Sequence, residues 1–131
     1  MIYLDSSALL KLVLDERESD ILDDWLGARG DTPATSSELA RVEMIRGCRR
    51  ADAERLPKAR AILAAVDLLP LTGGLLEDAT EIGDPTLRSL DAIHLASALS
   101  IREELSAFVA YDRRLADAAG TAGLPVVAPG T

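Results

Sequence analysis

The sequence predicts an α/β domain with a parallel β-sheet between two layers of helices. Short apolar runs of strand length alternate with longer segments that place apolar residues at helical spacing. This alternation is typical of parallel strands joined by helical crossovers. With 131 residues, 48% of them hydrophobic, the chain is large enough to bury one stable core. We therefore expect residues 1–131 to form a single domain.

The expected elements follow one another along the whole chain without an internal repeat or a linker. Strands are predicted over residues 2–4, 33–35, 66–71, 107–111 and 125–128. Helices are predicted over about residues 6–13, 18–28, 36–50, 53–65, 73–82, 88–105 and 113–122. Thr35 and Glu38 have capping-box spacing, which indicates a helix-start role for Glu38 rather than a catalytic one. The helix over residues 88–105 is apolar on nearly every side, and we expect its neighbours to bury it.

Composition limits the possible environments and partners. Cys48 is the only cysteine, so an internal disulfide is impossible, and no segment is long and apolar enough for a membrane span. We expect a cytoplasmic protein. The net charge of −8 argues against nucleic acid as a partner, but residues 41–60 contain seven basic and three acidic residues, a net +4. This basic run is either a solvated helical face or a platform for phosphates.

Four acidic residues stand inside apolar segments, where an unpaired carboxylate is costly to bury. Asp5 and Asp112 follow the first and fourth predicted strands, and ligands of parallel sheets bind at that edge. Asp91 begins a buried helix, and Glu43 lies one to two turns into the helix after the second strand. Each has a simpler interpretation: Asp5 and Asp112 as helix caps, Asp91 as a first-turn acid, and Glu43 as a solvated residue beside Arg46.

Together, however, the four acids predict one acidic site that requires a cation. Two carboxylates about 4 Å apart repel each other by roughly 4 kcal/mol at an effective dielectric constant near 20. With oxygen ligands, a single histidine and a single cysteine, Mg²⁺ or Mn²⁺ is favoured over Zn²⁺. Such ions promote hydrolysis at phosphorus. The residues therefore predict a metal-dependent enzyme that hydrolyses phosphodiester bonds.

The segments YLDSSALLKL, SSELARVEMIRG, SLDAIHLASAL and FVAYDRRLADAA, in this order, resemble the PIN-domain ribonucleases, most closely the VapC-type toxins of toxin–antitoxin pairs. The resemblance implies that Asp5, Glu43, Asp91 and Asp112 form the catalytic, metal-binding quartet, and that Ser7 helps to position water or metal. It also implies a three-layer fold with a five-strand parallel sheet in the order 3-2-1-4-5. A homodimer and a cognate VapB-type antitoxin are the partners that it implies.

Three arginines are further candidates for contacts with RNA phosphates. Arg113 and Arg114 follow Asp112, and Arg46 lies three residues after Glu43. Their alternative is simple solvation. His94 lies three residues after Asp91, on a similar helix face. We expect His94 to be a hydrogen-bonded structural residue, with a general-acid role as the alternative.

The expected function is that of an Mg²⁺- or Mn²⁺-dependent endoribonuclease toxin that cleaves tRNA or rRNA and is neutralised by its antitoxin. A phosphoacceptor receiver domain is disfavoured because no lysine occurs in the last predicted strand, 125–128. A haloacid-dehalogenase-type phosphatase would need an acid where Ser7 stands. The remaining alternative is a non-catalytic PIN-like module that binds protein or RNA.

Overall fold

The computed structural model describes residues 1–131, which form five strands and seven helices. The strands are β1 (Ile2–Leu4), β2 (Ala34–Ser37), β3 (Asp67–Leu69), β4 (Ala107–Val109) and β5 (Val126–Val127). The helices are α1 (Ser6–Lys11), α2 (Ser19–Gly27), α3 (Leu39–Ala51), α4 (Leu56–Ala65), α5 (Gly73–Ala79), α6 (Ser89–Ser100) and α7 (Arg113–Thr121). Two 3-10 turns, Ala53–Arg55 and Arg102–Glu104, precede α4 and β4. None of the helices combines the length and apolar character needed to cross a membrane.

The five strands form one sheet in the order β3-β2-β1-β4-β5, and every neighbouring pair is parallel. This confirms the predicted fold class and strand order. β1 lies in the centre, where Tyr3 is in register with Thr35 on one side and Phe108 on the other. Because β1 and β4 are adjacent, the segments that follow them leave the sheet side by side. The backbone N–H of Asp5 accordingly donates to the carbonyl of Val109 at 3.1 Å.

Each face of the sheet is covered by its own apolar cluster, which is expected when a parallel sheet lies between helical layers. Alternate residues of β1 point to opposite faces. Ile2 and Leu4 belong to the cluster that also contains Leu9 and Met44 of α1 and α3. Tyr3 belongs to the second cluster, whose other fully buried members include residues of α6, β4 and α7. The three layers bring the ends of β1 and β4 together with α3 and α6.

Close packing of α1 on α3 depends on a small residue. A Cβ atom at Gly47 would lie 3.1 Å from Cδ1 of Leu10, which is tighter than ordinary van der Waals contact. Glycine is costly inside a helix, but here it allows α3 to approach α1. Glu43 lies one turn earlier on α3 and is therefore held near the start of α1.

The predicted capping box at the start of α3 is wrong. Thr35 lies within β2, where its hydroxyl donates to the carbonyl of Asp67 at 2.7 Å. Glu38 does occupy the N-cap position, but its side chain makes no capping hydrogen bond and pairs with Arg41 instead. β2 pairs with β3 as far as Ser37. Thr35 is therefore part of the sheet and cannot cap α3.

α6 differs from the expected buried helix in its length and at one exposed apolar residue. The helix ends at Ser100 rather than near residue 105, and seven of its residues are buried. Leu90, however, is 48% exposed. Its neighbour Asp91 is buried, so the first turn of α6 turns a carboxylate inward and a leucine outward.

Candidate active site

Asp5 is a buried carboxylate at the carboxyl end of β1, with 3% of its surface exposed. Its Oδ1 accepts hydrogen bonds from the backbone N–H of Ala8 at 2.9 Å and from the hydroxyl of Ser7 at 2.6 Å. Asp5 therefore caps α1. Both hydrogen bonds use Oδ1. Oδ2 has no hydrogen-bond partner but is not fully buried. Oδ2 is thus left open to an external partner.

Burial raises the pKa of Asp5 above the ordinary carboxyl value, because desolvation disfavours the charged form. The hydrogen bonds from Ser7 and Ala8 act in the opposite direction but do not cancel the burial. The nearby charge of Glu43 raises the pKa of Asp5 further. An ionised Asp5 is therefore under electrostatic strain that a cation would relieve.

Ser7 joins the segments that follow β1 and β4. Its hydroxyl donates to Asp5 Oδ1 and accepts from the backbone N–H of Tyr111 at 3.1 Å. Ser7 therefore supports the orientation of Asp5. A direct role toward water or metal stays a prediction.

Glu43 extends from α3 into the space beside α1 and α6, where its side chain is 25% exposed. Its Oε1 lies 2.5 Å from the hydroxyl of Ser6, which donates to it, and 2.7 Å from Nε2 of His94. Burial alone would raise the pKa of Glu43, but the hydrogen bonds from His94 and Ser6 outweigh it and leave the pKa lowered. Glu43 is therefore stabilised as a carboxylate, with Oε2 free of bonds to these residues.

His94 is buried at 2% exposure and has hydrogen-bond partners at both ring nitrogens, as expected of a structural histidine. The phenolic oxygen of Tyr3 lies 2.7 Å from Nδ1 of His94. Burial raises the pKa of Tyr3, so this hydroxyl retains its proton and can donate. The connected side chains run from the core residue Tyr3 through His94 to Glu43.

Asp91 and Asp112 are bridged by Arg88, which is not among the site residues predicted from the sequence. Arg88 donates from Nε to Asp91 Oδ2 at 3.0 Å and from Nη2 to Asp112 Oδ2 at 3.1 Å. Asp112 also caps α7, because its Oδ1 accepts from the backbone N–H of Leu115 at 3.0 Å. The capping interpretation of Asp5 and Asp112 therefore holds, but in each residue it uses only one carboxylate oxygen.

The four acids thus occur as two linked groups at the same edge of the sheet. Ser6 and Ser7 are consecutive and connect to Glu43 and Asp5 respectively, and Arg88 joins Asp91 to Asp112. No three Asp, Glu, His or Cys side chains are placed as a ready-made metal-binding group.

The donor set nevertheless fits a hard divalent cation. The acids supply oxygen ligands only, which Mg²⁺ and Mn²⁺ prefer. Asp5 Oδ2 has no hydrogen-bond partner, and a positive group already binds Asp91 and Asp112. Asp5, Glu43, Asp91 and Asp112 are the residues that could hold an ion, provided that Arg88 moves.

The three arginines predicted to contact RNA lie on two different surfaces. Arg113 is exposed at the start of α7. Arg114 lines a cavity of about 680 Å³ between α7 and the segment before α6, together with Asp117. Arg46 lines a shallow cleft of about 300 Å³ with Arg49 and Arg50 on α3. All three contacts stay predictions.

Sequence reasoning missed three residues of the site: Ser6, Tyr3 and Arg88. Arg88 is three residues before Asp91, a spacing at which side chains meet on a helix, and this was the one available signal. Ser6 and Tyr3 could not be selected, because their roles depend on contacts with residues distant in the sequence.

Comparison with known proteins identifies relatives over nearly the whole chain. The PIN domain family model matches residues 2–121. Ribonuclease VapC47 of Mycobacterium tuberculosis is 46% identical over 134 residues, covering 99% of this chain and 98% of the relative. Ribonuclease VapC35 of the same organism is 44% identical over 132 residues, again covering 99% and 98%.

Two solved structures share the fold at low sequence identity. The crystal structure of Mycobacterium tuberculosis VapC20, a Sarcin-Ricin loop cleaving toxin, has a TM-score of 0.76 at 20% identity and covers 98% of this chain and 100% of that one. FitAB bound to a DNA fragment has a TM-score of 0.73 at 16% identity, with coverage of 100% and 96%. These two likenesses bear on the fold alone.

Proposed function

This chain belongs to the PIN domain family, among its VapC-type ribonucleases, and from this premise we propose that it is an Mg²⁺- or Mn²⁺-dependent endoribonuclease toxin. The proposed reaction is hydrolysis of RNA phosphodiester bonds. One arrangement carries the proposal: the buried Asp5 has no hydrogen-bond partner at Oδ2, while Asp91 and Asp112 share a single cation, Arg88, whose side chain is 61% exposed.

The residues of the chain have distinct roles in this proposal. Asp5, Glu43, Asp91 and Asp112 would hold the ion, which supplies charge neutralisation at the scissile phosphate and acidifies water. Ala8 and Ser7 fix the orientation of Asp5. Ser6 and His94 bind one oxygen of Glu43. The other oxygen, Oε2, makes no bond to these residues and is the one available to the ion.

The products of this reaction would have 5′-phosphate and 3′-hydroxyl ends, because water attacks phosphorus and the 3′ oxygen leaves. The 2′-hydroxyl of RNA is not the nucleophile. The acidic character of the site suits a hydrated cation, which would supply the attacking water.

The alternative is a PIN-like module that binds RNA or protein without cleaving it. Metal titration and cleavage of a mixed RNA pool by the purified chain separate the two. The proposal predicts cleavage that requires Mg²⁺ or Mn²⁺, stops on chelation and is abolished in Asp5→Asn. RNA binding without metal-dependent cleavage, while wild type binds the ion, would favour the module.

Selection of tRNA or rRNA as the target, and location in the cytoplasm, are parts of the same proposal. Mapping of RNA ends after induced expression tests the target. Ends concentrated at one site in a tRNA or in rRNA are expected. Cuts distributed over messenger RNA would contradict that choice, although they would still agree with a ribonuclease.

The proposed partners are a second copy of the chain and a VapB-type antitoxin. The acidic site suits a basic antitoxin side chain, since Arg88 already shows that a guanidinium binds two of its carboxylates. Induced expression should arrest growth, and co-expression of a small neighbouring gene should relieve the arrest. Size-exclusion chromatography with light scattering should give the mass of a dimer; a monomer would contradict the dimer proposal.

A further inference from the structure

Arg88 forms ion pairs with two of the four carboxylates, although cleavage by a metal ion does not require a guanidinium there. Its Nε and Nη2 atoms form one edge of the guanidinium, and this edge spans Asp91 Oδ2 and Asp112 Oδ2 at 3.0 and 3.1 Å. Asp112 Oδ1 is already used by the N-terminus of α7. The oxygen of Asp112 that an ion could use is therefore the one that Arg88 occupies.

The arginine is also placed so that it can leave. Arg88 is the residue before α6, and its backbone is extended rather than helical. Its side chain is 61% exposed, whereas that of Asp91 is 13% exposed. A solvated side chain on a long, flexible stem can change rotamer without disturbing the core. The carboxylates would stay in place while the guanidinium moves.

Two cations cannot share these oxygens. A divalent ion at Asp91 and Asp112 would repel the guanidinium and would remove the negative charge that attracts it. Arg88 would then be a free positive group beside an ion-bound site. An RNA phosphate is the anion that the proposed reaction brings to this position, and arginine binds phosphate with two donors.

We propose that Arg88 is a tethered cation that competes with the divalent ion for Asp91 and Asp112 and, once displaced, binds a phosphate of the RNA. The inference rests on the proposed function for its second step. In its first step Arg88 acts as a positioning residue: its single positive charge pairs with both acids while no ion is bound. It thereby lowers the affinity for the ion and makes occupancy of the site sensitive to ion concentration.

The test of the first step needs no RNA. Isothermal titration of Mn²⁺ into wild type, Arg88→Gln and the control Arg60→Gln compares loss of the competing cation with loss of an exposed arginine on α4, outside the site. Arg88→Gln should bind Mn²⁺ about fivefold more tightly, the scale of a partly exposed ion pair. Arg60→Gln should differ little from wild type. Unchanged or weaker binding by Arg88→Gln would overturn the competition.

A second measurement on wild type keeps the test decisive if Arg88→Gln folds poorly. The Nε–H signal of Arg88 in a ¹H–¹⁵N spectrum should shift and lose protection from exchange as Mg²⁺ is added, because its bond to Asp91 breaks. A signal that stays unchanged while the protein saturates with Mg²⁺ would overturn the displacement. Wild type that binds neither ion would overturn the competition and the metal dependence together.

Kinetics on RNA test the second step. With saturating Mn²⁺, Arg88→Gln should raise KM about tenfold with a smaller change in kcat, and Arg88→Lys should recover part of the loss, since lysine binds phosphate as a point charge. A KM equal to that of wild type would overturn the phosphate contact. Wild type that binds Mn²⁺ but cleaves no RNA would overturn the proposed function, whereas the Mn²⁺ titration would still decide the competition.

Discussion

Nε2 of His94 lies 2.7 Å from Oε1 of Glu43, and its other nitrogen, Nδ1, lies 2.7 Å from the hydroxyl of Tyr3. A carboxylate can only accept, so Nε2 carries the proton, and Nδ1 accepts from the phenol. The core of the sheet thereby fixes the rotamer of a carboxylate at the edge of the protein. His94 orients Glu43 rather than standing apart from the site.

Replacement of His94 should separate orientation of Glu43 from general stability. His94→Ala removes the histidine partner of the Tyr3 hydroxyl and leaves Glu43 with Ser6 as its one remaining donor, and we expect a loss of about 2 kcal/mol in the free energy of unfolding. We also expect a fall of about 10–100-fold in kcat for RNA, the scale for residues that orient metal ligands.

His94→Gln is the matched variant, since its amide can still donate to Glu43. It should recover much of kcat while remaining less stable than wild type. Urea unfolding and initial cleavage rates provide the two readouts. Equal kcat values for the Ala and Gln variants would show that His94 does not act through Glu43.

Asp5→Asn should stabilise the protein in the presence of a chelator at neutral pH. Burial raises the pKa of Asp5, so the folded chain binds its proton more tightly than the unfolded chain does. Stability of the wild type therefore falls as the pH rises from the ordinary carboxyl value through the raised one, and stays lower above it. Asparagine carries no charge and so avoids this loss of stability. The loss is about 1.4 kcal/mol for each tenfold difference in proton affinity between the folded and unfolded chains.

The measurement is thermal unfolding of both proteins from acidic to neutral pH, with Asp31→Asn, an exposed acid, as the control. The advantage of Asp5→Asn should shrink toward acidic pH and be absent in the control. If Asp5→Asn is less stable than wild type at every pH, the carboxylate stabilises the fold, and the prediction that its buried charge destabilises the fold is wrong.

Ser7→Ala should remove the hydrogen bonds that connect the segment after β1 with the segment after β4. The hydroxyl donates to Asp5 and accepts from the N–H of Tyr111, so its removal should cost about 1–3 kcal/mol. Ser100→Ala, which removes one hydrogen bond to a carbonyl within α6, is the control and should cost less. Urea midpoints decide between them, and the prediction fails if the two variants are equally stable.

Arg46→Ala should weaken RNA binding, because Arg46 forms a cleft with Arg49 and Arg50 on the helix that carries Glu43. Arg60→Ala removes the same charge from an exposed position on α4 and serves as the control. RNA affinity should be measured over a range of salt concentrations. The slope of log K against log[salt] should be shallower for Arg46→Ala than for wild type, by the amount expected for about one phosphate contact. Identical slopes for the two variants would remove Arg46 from the RNA surface.

Topology could be predicted because the alternation of strands and helices extends along the chain and the motifs occur in the order typical of the family. The positions of Asp5 and Asp112 also followed from the sequence, since each comes soon after a strand and β1 lies beside β4. Topology and the positions of residues at strand ends follow from backbone geometry, which can be predicted from local sequence patterns.

Side-chain partnerships could not be predicted in the same way. The hydroxyl of Thr35 was assigned to a helix start, but in the sheet it reaches Asp67, 32 residues away. Arg88 was not considered, because its link to Asp112 spans 24 residues and depends on a rotamer. Ser6 bonds to Glu43 across 37 residues. Such contacts arise only when the layers assemble.

The chemistry of the cleaved ends, compared with and without the ion, tests the central claim most directly, since attack by an ion-activated water leaves the 2′-hydroxyl unused and stops when the ion is removed. RNA cut by the wild type with Mg²⁺ or Mn²⁺ should be a substrate for ligases that require 5′-phosphate and 3′-hydroxyl ends. Asp5→Asn and Glu43→Gln should produce no such ends above background. Ends with a 2′,3′-cyclic phosphate, formed equally well with a chelator present, would contradict the account.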